Sequence, residues 1–184
     1  MSKASEVLRR EHQSIRDALE VLEEFCFLLR ADQEILTEDI QALTDFLGHY
    51  THEVHQKKEE LFLFPAMEKA GISREQGHFA MLIAGHEIGA VYLRHLAEAG
   101  KHVYLNKAEF VEAAESYLAM HLDHIEQEDH GLLNMADECL ADPEQQDLIA
   151  EFQKYDRLAI GQSIVDQAMQ TIGYFHKKYM ENQD

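Results

Sequence analysis

Apolar residues near the start of the chain return at alternating steps of four and three. Leu8, His12, Ile15, Leu19, Leu22, Cys26 and Leu29 form one such row, and His12 is its only polar member. This spacing predicts one buried stripe along a helix running from about Ser5 to Arg30. Thr37, followed by Glu38 and Asp39, reads as an N-cap with acids in the first turn of a second helix. That helix carries Ile40, Leu43, Leu47 and Tyr50 down to His55, Glu59 and Phe62; Pro65 is expected to kink or end it, and Gly71 closes the segment. Ser73-Arg74-Glu75-Gln76 reads as a capping box opening a third helix, whose row is Phe79, Leu82, His86, Gly89, Leu93 and Leu96 and which stops at Gly100. Asn106-Lys107-Ala108-Glu109 is a second box, ahead of Phe110, Ala114, Tyr117, His121, His124, Glu128, Gly131 and Met135.

Four helices of similar length with short connections should run antiparallel to their neighbours. The expected fold is therefore all-α: an up-down-up-down four-helix bundle over residues 1–140, with an additional long C-terminal helix over 141–184. Asp142-Pro143, with Gln145 third in, opens that extension in the pattern of proline at N1. Leu148, Phe152, Tyr155 and Ala159 form one apolar row; Val165, Ala168, Ile172, Phe175 and Tyr179 form another, with Gly161 a candidate break between them. Rows this extensive should pack on the bundle or pair with a second copy as a homodimer. The bundle also repeats internally. His12 precedes His55 and Glu59 in one half, and His86 precedes His124 and Glu128 in the other, which predicts a pseudo-twofold axis along the bundle.

Composition adds bounds. The chain has nine glycines and two prolines, few enough for helix throughout, and its length allows a core without staples. A formal charge of −19 argues against nucleic acid as a partner. No stretch approaches the ~20 apolar residues of a membrane span. Met1-Ser2-Lys3-Ala4 leads directly into an amphipathic segment, so no secretory leader is expected. With Cys26 and Cys139 as reduced thiols, the expectation is a soluble cytoplasmic protein. The compositional excess is in histidine, with twelve residues.

Two stretches concentrate that excess. His52-Glu53-Val54-His55-Gln56-Lys57-Lys58-Glu59 and His121-Leu122-Asp123-His124-Ile125-Glu126-Gln127-Glu128 both read H-x-x-H-x-x-x-E. Positions four apart stand on one face of a helix, so a histidine nitrogen and a glutamate oxygen can reach one metal or two adjacent ones. A single buried histidine is more often a hydrogen-bonded core residue than a ligand. Buried carboxylates without partners cost several kcal/mol, however, so Glu59 and Glu128 at mid-core call for a cation. Two six-coordinate ions need about twelve donor positions, as iron or manganese would. Four imidazoles, two bridging glutamates and one oxo or hydroxo bridge leave about one open position on each ion. Nitrogen and oxygen ligands favour iron, with zinc in one closed site as the competing choice.

Glu11-His12, His55-Gln56-Lys57-Lys58-Glu59-Glu60-Leu61-Phe62 with Phe64-Pro65, and Met81-Leu82 before His86-Glu87 resemble the hemerythrin-like (HHE) domain family. His124-Ile125-Glu126-Gln127-Glu128-Asp129, followed by Met135-Ala136-Asp137, extends the resemblance, which covers roughly Ala4 to Leu140. It implies a non-haem di-iron centre in a four-helix bundle, with His12, His55, Glu59, His86, His124 and Glu128 as ligands. The chain departs from the oxygen carriers of that family: Leu82 and Ala90 stand one turn either side of His86, where a carrier has a fifth histidine. His52 and His121, one turn before each core histidine, are candidates for additional ligands or for contacts behind the ligands. The symmetric set is closer to bacterial di-iron proteins linked to nitric oxide, oxidative stress and iron–sulfur repair, and the extra N-terminal cysteine-bearing domain they usually carry is not expected here.

The expected ligand is a small diatomic molecule or peroxide, bound for sensing, storage or detoxification. An oxidoreductase reducing peroxide or NO at the same positions is one alternative. A structural zinc or iron domain with a partner on the C-terminal helix is another. Gly89 and Gly131, each three residues past a ligand on the buried row, are candidates either for close helix packing or for missing volume that admits a small ligand.

Overall fold

The computed structural model describes residues 3–73, 77–101, 105–160 and 162–181. The first apolar row folds as α1 (Ala4–Arg30), with Leu8, His12, Ile15, Leu19, Leu22, Cys26 and Leu29 all buried. The Glu6 carboxylate accepts the Lys3 N–H at 3.2 Å and ties down its first turn.

The second segment, α2, is continuous over 37–69. It is α-helical over Thr37–Phe46, widens to π-type turns over Leu47–Gln56 and Glu59–Leu63, and ends with α-helical Phe64–Lys69. Leu36 takes the N-cap position, one residue before the Thr37 expected there, and Thr37 is the first helical residue. Pro65 does not end the helix. The amide just before it, Phe64 N–H, bonds back to the Glu59 carbonyl five residues earlier, and that wide turn leaves room for the pyrrolidine ring. The stop comes at Gly71, whose φ of 97° reverses the chain.

The third helix, α3, spans Gly77–Gly100; of the box expected ahead of it, Arg74 to Gln76 lie outside the described residues. The fourth, α4, covers 107–139, with a π-type turn at Glu128–Leu132 between α-helical Lys107–Gln127 and Leu133–Cys139. Its Asn106 cap accepts the Glu109 N–H at 3.3 Å. The C-terminal run is α5 over 142–160 and α6 over 162–180. In α5 the box closes through Glu144, which accepts the Ala141 N–H at 2.8 Å. Gln145 instead reaches across to accept the Ala4 N–H at 2.9 Å. Gly161, the candidate break, lies outside the described residues.

The chain is a helical bundle, with no strand among the described residues. Within it α1 packs against α2 and α4, and α3 packs against the same two. Side-chain partners give the directions: Lys107 meets Asp32 while Ser5 meets Asp137, so α1 and α4 are antiparallel. The run α5–α6 lies along α1 and α2. Gln145 sits at the start of α1, and Phe175 and Tyr179 pack on Phe25 near its end, with centroids 5.8 and 4.9 Å apart. Apolar residues form two separate cores. One holds Leu19, Leu22, Phe25, Leu43, Leu47, Leu96, Phe110 and Tyr117; the other holds Leu8, Leu63, Phe64, Phe79, Leu82 and Phe152. The polar layer between them is the candidate site. Among the described residues no helix is long and apolar enough to cross a membrane.

Candidate metal centre

Every helix of the ring contributes to this layer: α1 gives His12, α2 gives His55 and Glu59, α3 gives His86, and α4 gives His124 and Glu128. All six are buried, with His12, Glu59 and Glu128 at 0% exposure in a chain carrying 35 acidic residues. They form two groups of converging atoms. His12, His55, Glu59 and Glu128 make one; His86, His124 and Glu128 make the other; within each group the ligating atoms lie within 4.8 Å of one another.

Both glutamates reach both histidine pairs. Glu128 Oε2 lies 3.2 Å from His12 Nε2, while its Oε1 lies 2.9 Å from His124 Nε2 and 3.5 Å from His86 Nε2. Glu59 Oε1 lies 3.8 Å from His55 Nε2 and its Oε2 lies 3.2 Å from His86 Nε2. Each glutamate also opens a five-residue π-type turn, Glu59–Leu63 and Glu128–Leu132, so the internal repeat extends to the backbone. A π-turn shifts the register of the side chains that follow by about one residue, and such turns recur at functional positions.

Three of the histidines have an outer nitrogen fixed by a carboxylate. His12 Nδ1 donates to Asp129 Oδ1 at 2.7 Å, His55 Nδ1 to Glu11 Oε2 at 3.2 Å, and His86 Nδ1 to Glu60 Oε1 at 3.0 Å. In the neutral tautomer that this dictates, each Nε2 turns a lone pair inward. His12 Nε2 and His55 Nε2 then face each other at 2.9 Å beside two carboxylates. Such a set repels itself unless positive charge lies among it. All four oxygens of Glu59 and Glu128, with His86 Nε2 and His124 Nε2, are buried and make no well-directed hydrogen bond. Atoms left this way fit metal ligands, and carboxylates behind the imidazoles are what a metal-binding histidine needs to hold its ring and raise its basicity.

Electrostatics gives the same answer. Burial alone would keep His12 neutral, but its hydrogen bond to Asp129 and the nearby carboxylates of Glu128 and Glu59 outweigh that and raise its pKa to about 9. His86 is likewise raised, against burial, by Glu128, Glu59 and Glu60. Glu128 is held well below the carboxylate range, again against burial, by His124, His12 and His86. The layer is built to hold cations, whether protons or metal ions.

The remaining residues singled out in the sequence fall around this set. His121 is buried next to Tyr117, with ring centroids 4.2 Å apart, and neither of its nitrogens has a partner. Desolvation lowers its pKa well below that of free histidine. His52 donates from Nδ1 to Gln56 Oε1 at 2.5 Å and lies 6.3 Å, centroid to centroid, from His121. Neither ring belongs to the two converging groups. Gly89 is buried, and a Cβ there would stand 2.7 Å from the Met120 methyl and 2.9 Å from His121 Cε1; Gly131 is half-buried on the α4 π-turn.

Sequence reasoning missed Gly85, where a Cβ would fall 2.7 Å from His124 Nδ1 and 2.9 Å from its Cε1. The ring of His124 occupies the space that a side chain would need. It also passed over the roles of Glu11, Glu60 and Asp129. Each adjoins a ligand in sequence, and that adjacency was the available signal.

A bundle that turns four imidazoles and two buried carboxylates into two adjoining groups has the donor set of a cation-binding helical protein. The chain belongs to the hemerythrin family: the model of the hemerythrin HHE cation binding domain matches residues 3–136. A search of curated proteins and a search of solved structures each return no match. The helices α5 and α6 lie beyond the matched region.

Proposed function

We propose that the chain is a cytoplasmic non-haem di-iron protein whose centre binds or reacts with O₂, NO or peroxide. The observation that carries this reading is the placement of each glutamate with one oxygen on each histidine pair. That is the arrangement of two bridging carboxylates between two cations. Four imidazole nitrogens and four carboxylate oxygens exceed the four donors of a closed zinc site, and donors of this kind without thiolate suit iron. When bound, an iron pair supplies redox chemistry and open positions for a small ligand. The antiparallel partners of α1 to α4 favour an up-down-up-down four-helix bundle, with α5 and α6 as a C-terminal arm along one face.

The protein's own groups would serve such a centre in specific ways. His12, His55 and His86 are oriented by Asp129, Glu11 and Glu60 before any ion arrives. A groove of about 640 Å³ between α2 and α3 reaches His86 and Glu60 from solvent. Glu60 Oε2 accepts from Lys57 Nζ at 2.7 Å at its rim, so this carboxylate links a ligand histidine to water. Beside Gly89 the Met120 methyl closes the approach, and a ligand entering there would have to displace it.

Anaerobic loading with ferrous iron, followed by exposure to O₂ and then to NO, tests this reading by visible absorption. Bands that appear and reverse on removing the gas mean a carrier or sensor, and steady consumption means turnover. An iron-loaded chain with no change in absorption would contradict it.

A further inference from the structure

Lys58 is fully buried, and its ammonium has two carboxylate partners. Glu11 Oε1 is one; Asp156 Oδ1, at 2.7 Å, is the other. Glu11 also takes the outer N–H of His55 on its second oxygen, at 3.2 Å. An unbroken chain of charged contacts therefore runs from Asp156 through Lys58 and Glu11 to His55. Its far end is not in the domain matched by the family, because Asp156 belongs to α5.

We infer that Asp156 is a positioning residue for the metal centre, so that the C-terminal helices complete the site rather than merely cover it. The coupling is one of shared charge. Glu11 can draw the His55 proton only with the negative charge that Lys58 leaves it. Asp156 takes part of the Lys58 ammonium and frees Glu11 to act on His55, making the imidazole a better donor at Nε2. Without Asp156 the ammonium falls wholly on Glu11, and the His55 ring loses both basicity and orientation. Local structure aims Asp156 at this task. It opens the π-type turn Asp156–Ile160, and the helix leading into it is held to α2 by ring packing. Phe62 packs on Phe152 and Tyr155, with centroids 6.1 and 5.8 Å away, pinning α5 to the helix that carries His55.

The inference rests on the metal-binding reading, and the test separates the two. Full-length wild type, Asp156→Asn, Glu11→Gln, the double variant and Tyr155→Phe are titrated anaerobically with ferrous iron against a chelator. Cobalt(II) absorption spectra are recorded in parallel. Asp156→Asn is expected to weaken one of the two ions about tenfold, a typical loss for a partner behind a ligand, and to shift the cobalt bands. In the Glu11→Gln background the same change should have no further effect, because the chain is already cut. Tyr155→Phe removes only the 2.8 Å hydroxyl bond to the Glu53 carbonyl, keeps the ring packed on Phe62 and should leave both affinities in place. Wild-type affinities and cobalt spectrum in Asp156→Asn, whatever its thermal stability, would overturn the inference. So would additive losses in the double variant. A wild-type chain that takes up no ion would overturn the metal-binding reading itself.

Discussion

Gly85→Ala tests the packing of the site most sharply, because two opposed effects can be sized. Glycine inside a helix costs about 1 kcal/mol against alanine, so α3 on its own should gain that much. The new methyl, however, stands 2.7 Å from His124 Nδ1, and the ordinary separation begins at 3.4 Å. The ring must retreat by roughly 0.7 Å, and overpacking of this kind typically costs about 1–3 kcal/mol. The net change in the stability of the metal-free chain should therefore be small, within about 2 kcal/mol. Metal binding has no such tolerance, since ligand distances hold to about 0.2 Å. Affinity on the His86–His124 side should fall by tenfold or more, while the His12–His55 side keeps its ion. Chemical denaturation of the chelator-treated protein and ferrous titration against a competing chelator measure the two quantities. Gly89→Ala is the comparison, since it meets the flexible end of Met120 and a ring outside the converging set. Unchanged affinity in Gly85→Ala, or equal losses in both variants, would show that the His124 ring does not depend on the space at Gly85.

Replacing Glu59 or Glu128 by glutamine should cost at least one ion per chain, because each serves both histidine pairs; metal analysis after desalting reads this. In the metal-free protein, the raised pKa of His12 implies a stability term present below pH 6.5 and lost as pH rises through about 9. It is on the order of 3 kcal/mol. Denaturation midpoints at several pH values should fall across that window for the chelated chain and stay flatter once metal replaces the protons; a rise for the chelated chain would contradict the assignment. Truncation after Leu140 should expose the faces that bury Leu148, Phe152, Ile172 and Phe175, giving dye binding or association in light scattering.

The helices α1 to α4 and most of the inward row of each were legible because their apolar spacing is regular, and a histidine or glutamate in such a row stands out. What could not be read has physical causes. Two helices widen into π-turns at Glu59 and Glu128, a change of one residue in register that leaves no mark in a four-three pattern. Pro65 signals an end by its own chemistry, and only the wide turn before it explains why α2 continues. Gly85 looked like an ordinary gap between Leu82 and His86, since the ring that fills its space comes from α4, far along the chain. Asp156 carried no signal at all. Its meaning depends on Lys58, an exposed-type residue that tertiary packing buries.

The proposed centre has two cations sharing Glu59 and Glu128 between two histidine pairs. Anaerobic iron loading of the full chain, followed by metal analysis and X-ray absorption at the iron edge, tests it directly. Two irons per chain are expected, with nitrogen and oxygen neighbours only and an iron–iron scattering path that disappears in Glu59→Gln or Glu128→Gln. One tightly held zinc per chain, sulfur in the coordination shell, or a single iron with no metal neighbour would contradict it.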